Sequence, residues 1–453
     1  MKRILFVALN SSWSQSNLAL YYLREIVCDL GFNQQMCAFT LKEPLHQIME
    51  DIYGRKPDII CFSAYIWNKI YWLSMQIELA KVLPECVFVV GGPEAQAFKS
   101  AVNTKVILGA GEARFRYLAK HNFDLAADLS EIPPIPLKDI PFPYQISDKE
   151  VLQNHLIYYE CYRGCPYSCV YCLSAGDNRH EMRFDVQDEN SLIKLNRELR
   201  LLAKLKPKTL KFIDRSFNVQ KQIAHAIWDF AIKGDFDFDF HFEIYPDLLD
   251  EQDIQKLSKA PPGRIRFEIG IQSTNEYVLR QCGRISSWSK TCEALKELKA
   301  RTQVRIHADL IAGLPNEDFS SVIRSLNELC ACEPDAVQLG MLKILPDTPM
   351  LKIASDLGYL WMDQPPYQVL ASDALSFNEL NVLQDYAHLL SLYWNKEEHP
   401  QLWHQLLQKN PANVILEKLR HLHIIKQIPL HSVARQKRES MMQELLQNLS
   451  CYD

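Results

Sequence analysis

Short apolar runs alternate with amphipathic segments along most of this 453-residue chain. Before residue 123, five runs have the length and composition of buried strands, and segments such as 17–30 and 69–82 carry apolar residues at helical spacing between them. The five runs are Ile4–Leu9, Gln35–Phe39, Ile59–Ser63, Val87–Val90 and Lys105–Leu108. This alternation predicts an α/β fold that begins with a doubly wound parallel sheet.

A second alternation follows a proline-rich segment at 133–143, which suits an extended linker. Six further strands are predicted at His155–Glu160, Thr209–Asp214, Phe238–Tyr245, Arg264–Gln272, Val304–Ile311 and Ala336–Leu345. Six β/α units in this order predict a partial (β/α)6 barrel with its active groups at the carboxyl ends of the strands. We therefore predict a first domain at 1–122, a linker at 123–150, a barrel at 151–350 and a helical tail at 351–453, with helices at Glu379–Tyr393, Leu402–Gln408, Ala412–Leu422 and Ser432–Leu449.

The loops at the carboxyl ends of the first five strands are rich in small, hydroxyl and glycine residues. In doubly wound sheets ligands bind at this edge, and such residues let a large flat ligand approach the backbone closely. No G-x-G-x-x-G follows the first strand, so a nicotinamide cofactor is not supported. The candidate binding residues are Asn10, Ser12, Ser63, Tyr65, Gly91, Gly92, Glu94, Gly111 and Glu112.

Three cysteines, Cys165, Cys169 and Cys172, form a C-x3-C-x2-C run in the loop that leaves the first barrel strand. A structural zinc site needs four ligands, whereas an iron–sulfur cluster held by three thiolates leaves one iron open to bind something else. Cys161 makes a four-cysteine zinc knot conceivable, but no second pair of cysteines lies elsewhere to close it, and we expect Cys161 to be a packed residue at a strand end. Thirteen cysteines in the chain are too few for a disulfide scaffold.

This run, the preceding Glu160–Pro166 and the aromatic Tyr171 resemble the motif of radical S-adenosylmethionine (SAM) enzymes. The resemblance extends to Gln272-Ser273 and to the Gly313–Glu317 segment after later strands. It implies that the three cysteines hold a [4Fe-4S] cluster whose open iron chelates SAM, which is then cleaved reductively. The superfamily's Gly-Gly-Glu is replaced by Ile213-Asp214-Arg215, so Asp214 is our candidate for the SAM amino group. The implied SAM contacts are Tyr171, Asp214, Arg215, Gln272 and Ser273.

The first domain resembles the flavodoxin-like cobalamin-binding (B12-binding) domain that precedes many radical SAM barrels. The Gly91–Glu94 segment and the Gly109–Phe115 segment carry this resemblance. The D-x-H-x-x-G motif is absent, and Ser12–Gln15 stands in its place, so no histidine of this loop is expected on the lower face of cobalamin. The resemblance implies a cobalamin-dependent methyltransferase that methylates an unactivated carbon. The alternative that this domain has lost the ability to bind cobalamin stays open.

Other functions remain possible at this point. One is a cobalamin-assisted radical cyclisation or rearrangement. Another is a methylthiotransferase acting on RNA or protein, which needs three more cysteines in the first domain; Cys28, Cys37, Cys61 and Cys86 are present, but we place Cys28 within a helix, Cys37 within a strand and Cys86 at a strand start. A non-enzymatic cobalamin or metal sensor is a further alternative, although it does not need six polar-tipped strands.

The bulk composition excludes several classes. The net charge of −5 gives no general argument for nucleic acid or a membrane surface, and no apolar stretch is long enough to span a bilayer. The start, Met1–Leu9, favours a first buried strand over a signal peptide. Reduced cysteines and an oxygen-sensitive cluster predict a cytoplasmic enzyme that takes electrons from a donor such as flavodoxin or ferredoxin. The sequence does not identify the substrate.

Overall fold

A computed structural model describes residues 1–177, 179–431 and 433–450. The chain forms two compact units. The N-terminal unit comprises Met1–Arg163, Glu181–Ile213 and Asp235–Asp239, and the C-terminal unit comprises Gly164–His180, Asp214–Gly234 and the chain from Phe240 onward. The four predicted domain limits stay a prediction.

The strands and helices alternate over most of the chain. The strands are β1 (Arg3–Asn10), β2 (Asn33–Thr40), β3 (Ile59–Ser63), β4 (Val87–Gly91), β5 (Thr104–Val106), β6 (Leu156–Tyr159), β7 (Tyr162–Arg163), β8 (Glu181–Met182), β9 (Thr209–Phe212), β10 (Asp239–Ile244), β11 (Ile265–Gln272), β12 (Arg305–Ala312), β13 (Ala336–Met341), β14 (Leu360–Trp361) and β15 (Val369–Ala371).

The helices lie mainly between the strands and then fill the tail. They are α1 (Leu18–Ile26), α2 (Leu45–Gly54), α3 (Lys69–Val82), α4 (Glu112–Lys120), α5 (Lys149–Leu152), α6 (Glu189–Lys204), α7 (Lys221–Lys233), α8 (Glu251–Leu257), α9 (Glu276–Gln281), α10 (Trp288–Arg301), α11 (Phe319–Cys330), α12 (Pro349–Ile353), α13 (Phe377–Leu389), α14 (Pro400–Leu407), α15 (Ala412–Ile425) and α16 (Arg435–Ser450). None of the described helices has both the length and the apolar character needed to cross a lipid bilayer.

The first sheet has five parallel strands in the order β2-β1-β3-β4-β5. Every residue of β3 is buried, as in parallel strands that are covered on both faces. Phe62 of β3 stacks on Trp72 of α3 with 4.0 Å between ring centroids, while Phe6 of β1 lies 5.9 Å from Phe115 of α4. Alternate residues of β1 supply two separate cores, so the sheet is doubly wound as predicted.

The second sheet has six strands in the order β13-β12-β11-β10-β9-β6. β6 pairs with β9 in parallel, and β10 to β13 pair one after another in parallel. Apolar side chains alternate with polar ones along β11 and β12, and Trp228 of α7 lies 5.7 Å from Phe267 on the apolar face. The opposite face is half-buried and polar, with Arg266, Glu268, Gln272, His307 and Asp309. Bulky apolar side chains fill the interior of complete barrels, so this polar face is suited to a polar ligand instead.

The predicted fold class is confirmed, and some boundaries need correction. β9 ends at Phe212 and β13 at Met341, so Asp214 and residues 342–345 lie in loops. The tail contains a two-stranded antiparallel sheet of β14 and β15 as well as its helices. The predicted helix from Ser432 begins at Arg435, and Ser432 itself lies outside the described residues. Cys28 lies in an exposed turn after α1 and not within that helix.

Candidate functional site

The cysteine run lies in a loop of the C-terminal unit and is held by contacts with other parts of that unit. The N–H of Val170 donates to the carbonyl of Cys282 at 2.9 Å, and the N–H of Met350 donates to the carbonyl of Val170 at 2.9 Å. Gly283 has a φ of +70°, and a Cβ built there would lie 2.8 Å from the carbonyl oxygen of Ser168. The loop is therefore fixed by segments more than a hundred residues away along the chain.

The three thiols of the run lie close enough for Cys169 and Cys172 to affect the ionisation of Cys165. Cys169 is buried, and Cys165 and Cys172 are half-buried. Burial raises the pKa of Cys165, and the charges of Cys172 and Cys169 raise it further, whereas the N–H of Tyr167 and the hydroxyl of Ser216 lower it. Mutual repulsion between the three groups means that a cation placed among them would stabilise their thiolate forms.

Among the described residues, no group of three or more His, Cys, Asp or Glu side chains is arranged to hold a single metal ion. The thiolates of an iron–sulfur cluster bind different irons, so they stand farther apart than the ligands of one ion. Three cysteines on one loop, close enough to affect one another's ionisation, fit such a cluster better than a tetrahedral zinc ion.

Arg284 is a buried cation beside the run. Its guanidinium hydrogen-bonds the thiol of Cys169, donates to the carbonyl of Gly270 and lies 4.7 Å from the centroid of the Tyr245 ring. Burial lowers the pKa of Arg284, but Tyr171, Tyr245 and Cys169 outweigh this effect and raise it above its usual value. The charge therefore persists where it can stabilise a thiolate at Cys169. Sequence reasoning missed Arg284 because it lies 115 positions from Cys169, in a loop between two helices.

Aromatic side chains line the same region. Tyr167 stacks on Tyr245 with 4.3 Å between centroids and 15° between ring planes. The side chain of Tyr171 is half-buried with its hydroxyl oxygen inside, and burial, followed by the neighbouring Cys169, raises its pKa well above the usual value, so its hydroxyl stays protonated. The Gln272 Oε1 and the Arg284 Nε are buried without a hydrogen-bond partner in the described part of the chain. Buried polar atoms of this kind are costly unless a ligand or water pairs with them. The donor set thus fits a polar group bound against the run.

Two of the predicted SAM contacts, Asp214 and Arg215, lie in the loop that follows β9. Asp214 is buried, and Arg215 is exposed and forms a 3.3 Å ion pair with Glu243. Asn218, which is fully buried, donates its amide to the carbonyl of Tyr245 and accepts the N–H of Tyr245, both at 2.8 Å. Asn218 therefore fixes the loop that carries Asp214 to the end of β10.

Gln272 and Ser273 follow an irregularity in β11. The register with β12 shifts between Gly270 and Gln272, and Gln272 has a φ of +71°. Ser273 is buried and donates its hydroxyl to Glu317 at 2.5 Å. Burial raises the pKa of Glu317 to about 7, although the hydroxyls of Ser273 and Ser321 lower it. Ser273 is thus part of a buried network that supports the strand end.

The predicted cobalamin contacts lie in the N-terminal unit. The loops after β3 and β4 are joined, since Ala64 N–H donates to Gly91 O at 2.8 Å and Glu94 N–H donates to Ala64 O at 3.1 Å. A Cβ at Gly92, where φ is +96°, would lie 2.6 Å from Ala64 O, so only glycine allows this approach. Ser63, Tyr65, Gly91, Gly92 and Glu94 are thereby brought together.

Asn68 was not predicted, yet it connects these loops. Its buried side chain donates to the carbonyls of Leu9 and Ser63 at 3.0 and 3.1 Å and accepts the N–H of Tyr65 at 2.8 Å. Tyr65 stacks on Trp67 with 4.4 Å between centroids, and Trp67 is exposed. The ends of β1 and β3 therefore meet at one amide, beside a stacked aromatic pair in which Tyr65 is half-buried and Trp67 exposed.

The other predicted cobalamin contacts have partners within the N-terminal unit. Asn10 donates to Gln15 O at 3.0 Å, and the hydroxyl of Ser12 lies 3.2 Å from that of Ser14. Asn10 also lines a pocket of about 590 Å³ beside β2, which none of the other eight predicted residues lines. Gly111 precedes α4, and Glu112 is buried and accepts a 2.6 Å hydrogen bond from Arg163.

Comparisons with known proteins agree with this site. Residues 159–329 match the model of the radical SAM superfamily and therefore form a radical SAM domain, whose family requires a [4Fe-4S] cluster and SAM. Residues 355–414 match a protein family of unknown function, DUF4080.

A curated relative is the cobalamin-dependent radical SAM methyltransferase TokK of Streptomyces tokunonensis, which is 24% identical over 360 residues. The match covers 68% of this chain and 50% of the relative, so this chain spans about half of TokK's length. Among solved structures, the cobalamin-dependent SAM radical enzyme OxsB matches with a TM-score of 0.66 at 16% identity, covering 100% of this chain and 80% of that one. The radical SAM methyltransferase TsrM of Kitasatospora setae matches with a TM-score of 0.61 at 15% identity, covering 81% and 79%. These likenesses establish the fold.

Proposed function

We propose that this protein is a radical SAM enzyme in which Cys165, Cys169 and Cys172 hold a [4Fe-4S] cluster, and that it acts as a cobalamin-dependent methyltransferase. The observation that carries the proposal is the loop itself. Its three thiols lie within electrostatic reach of one another, beside a buried arginine and two buried polar atoms without a partner among the described residues, at the carboxyl ends of parallel strands. The 24% identity to TokK over two thirds of this chain supports the cobalamin-dependent reaction.

The side chains of the site have distinct roles in this proposal. When bound, the cluster supplies the electron that cleaves SAM, and cobalamin carries the methyl group to the substrate. Arg284 holds Cys169 in place and offsets the negative charge of its thiolate. Asp214 binds the amino group of SAM. The polar face of β11 and β12 positions a polar substrate, whose identity the proposal leaves open.

The structure offers little support for a methylthiotransferase. Such an enzyme needs three thiols together in the N-terminal unit, yet Cys37 lies within β2, Cys61 lies within β3 and Cys86 precedes β4. Burial raises the pKa of Cys37 and Cys86 to about 12, so neither is a ready thiolate ligand. A cobalamin-assisted cyclisation or rearrangement stays the alternative to methyl transfer. A flavodoxin or ferredoxin as electron donor and a cytoplasmic location stay predictions.

The test is an anaerobic assay of the reconstituted protein with SAM and dithionite, with and without methylcobalamin. We expect 5′-deoxyadenosine from the wild type, and S-adenosylhomocysteine only when cobalamin is present, both followed by mass spectrometry. Deoxyadenosine without S-adenosylhomocysteine would favour the cyclisation or rearrangement. Absence of both products, with zinc co-purifying, would overturn the radical SAM assignment.

A matched pair of variants makes the assay specific to the run. Cys169→Ala removes a proposed cluster ligand, and we expect it to lose iron and deoxyadenosine formation together. Cys161→Ala removes a buried thiol four residues before Cys165, and we expect it to keep both. Loss of iron in both variants would contradict the assignment of only three ligands.

A further inference from the structure

A second group of cysteines lies in the C-terminal unit, apart from the run. Cys292 is in α10, Cys330 ends α11, and Cys332 follows two residues later. The Sγ atoms of Cys292 and Cys332 are 3.4 Å apart. A disulfide bond is about 2.05 Å long, so the two sulfurs are in van der Waals contact and need to approach by little more than an ångström to bond.

The two thiols differ in environment. Cys292 is half-buried and open to a small reagent, whereas Cys332 is buried and its thiol also lies 3.6 Å from the carbonyl of Glu328. Burial, together with Cys292, raises the pKa of Cys332 to about 12. Lys296, one helical turn after Cys292 in α10, acts in the opposite direction and stabilises a thiolate at Cys332. Cys292 is therefore the thiol that an oxidant reaches first, and Lys296 assists the second step.

We propose that Cys292 and Cys332 are a redox-active pair that closes to a disulfide by exchange with a low-molecular-weight disulfide such as oxidised glutathione. The thiolate of Cys292 attacks one sulfur of glutathione disulfide, forming a mixed disulfide and releasing one glutathione. Cys332 then loses its proton and displaces the second glutathione. In total, one disulfide is reduced to two thiols and two cysteine thiols are oxidised to one disulfide.

The closed pair restrains a segment that supports the cysteine run. α10 begins at Trp288, directly after the loop that carries Cys282 and Arg284, and both of these residues contact the run. A Cys292–Cys332 bond fixes the first half of α10 to the end of α11. We therefore expect the bond to reduce the motion of residues 282–301, independently of which reaction the site catalyses.

The experiment treats the reconstituted holoenzyme with oxidised glutathione under anaerobic conditions, blocks remaining thiols with N-ethylmaleimide and maps tryptic peptides by mass spectrometry. Cleavage releases peptides 291–296 and 325–343, which contain Cys292 and Cys332 respectively. We expect these two peptides to be linked in treated protein and separate after reduction. We also expect the linked form to unfold about 5 °C higher and to exchange amide hydrogen more slowly at 282–301.

Peptide 325–343 also contains Cys330, so variants assign the bond. We expect Cys330→Ser to keep the link, and Cys292→Ser and Cys332→Ser each to lose it. Lys296→Gln is expected to slow closure several-fold, because it removes the charge that stabilises the Cys332 thiolate. The proposal is overturned if wild-type protein shows no link while the exposed Cys28 takes up glutathione, or if Cys330→Ser abolishes the link. Unchanged hydrogen exchange in linked protein would overturn the proposed restraint of 282–301.

Discussion

Two glutamates, each 1% exposed, have opposite surroundings in this protein. Glu198 of α6, in the N-terminal unit, accepts hydrogen bonds from Arg183 at 2.9 and 3.3 Å and from the hydroxyl of Tyr159. Glu317, in the C-terminal unit, accepts only from the hydroxyls of Ser273 and Ser321, and its Oε2 has no partner among the described residues. The two carboxyl groups are therefore equally buried, but Glu198 is paired with a buried guanidinium whereas Glu317 is paired with hydroxyl groups.

The difference shows what each carboxyl group can do. Arg183 is itself buried and also donates to the hydroxyl of Tyr159 and to the carbonyls of Leu137 and Ile140, so the pair with Glu198 fixes the linker to β6 and α6. Within the described part of the chain Glu317 pairs with no cation, and burial raises its pKa to about 7. The first carboxyl group is paired with a buried guanidinium and supports the fold. The second changes its protonation near neutral pH, next to the end of β11.

The largest effect is expected from breaking the compensated pair. Arg183→Met leaves the carboxylate of Glu198 buried without its cation, and we expect the free energy of unfolding to fall by about 3–5 kcal/mol. Urea denaturation followed by circular dichroism measures this change. Arg301→Gln, which removes an exposed guanidinium from its pairs with Glu251 and Glu297, is the control and should change little.

A second variant tests whether the cost comes from the unpaired charge. Arg183→Met combined with Glu198→Leu removes both charges and keeps side chains of similar volume. We expect the double variant to recover most of the lost stability, since buried ion pairs are often replaceable by apolar residues. If the double variant is as unstable as Arg183→Met, packing of the arginine and not charge compensation stabilises this region.

A smaller effect is expected from Glu317, and it depends on pH. Below pH 4.5 the carboxyl group is protonated in both the folded and the unfolded chain. Between pH 4.5 and 7 the unfolded chain releases the proton and the folded chain retains it, so stability falls as pH rises. We expect Glu317→Gln to remove a loss of about 3 kcal/mol over this range, measured by urea denaturation at a series of pH values. Parallel pH profiles for wild type and variant would refute the raised pKa.

The smallest effect is expected from the hydroxyls around Glu317. Ser321→Ala removes a donor that stabilises the carboxylate, so the pKa of Glu317 should rise further and the pH-dependent loss of stability should extend above pH 7. The change in stability should be about 1 kcal/mol. Ser325→Ala is the control, since Ser325 contacts Ser273 and Thr274 and has no hydrogen bond to Glu317. A shift of the pH range in Ser325→Ala as large as that in Ser321→Ala would show that packing and not direct donation sets the pKa.

The sequence predicted the fold class well because the underlying signals are local. The continuous apolar run of β3 and the alternating pattern of β11 are both visible in a few consecutive residues. Boundaries were less accurate: β13 is four residues shorter than predicted, because Leu342 and Ile344 are apolar but lie in a loop. The strands β14 and β15 were missed, since two or three residues carry no measurable period.

The sequence by itself determined the cysteine run, its place after a strand and the order of sheets and tail, because spacing along the chain is enough to specify them. Only the tertiary structure decided that Arg284 lies against Cys169, that Glu317 is buried against Ser273, and that Cys292 touches Cys332. Each of these contacts joins residues about 40 or more positions apart. Such contacts arise from the packing of separate strands and helices, so no local pattern in the sequence records them.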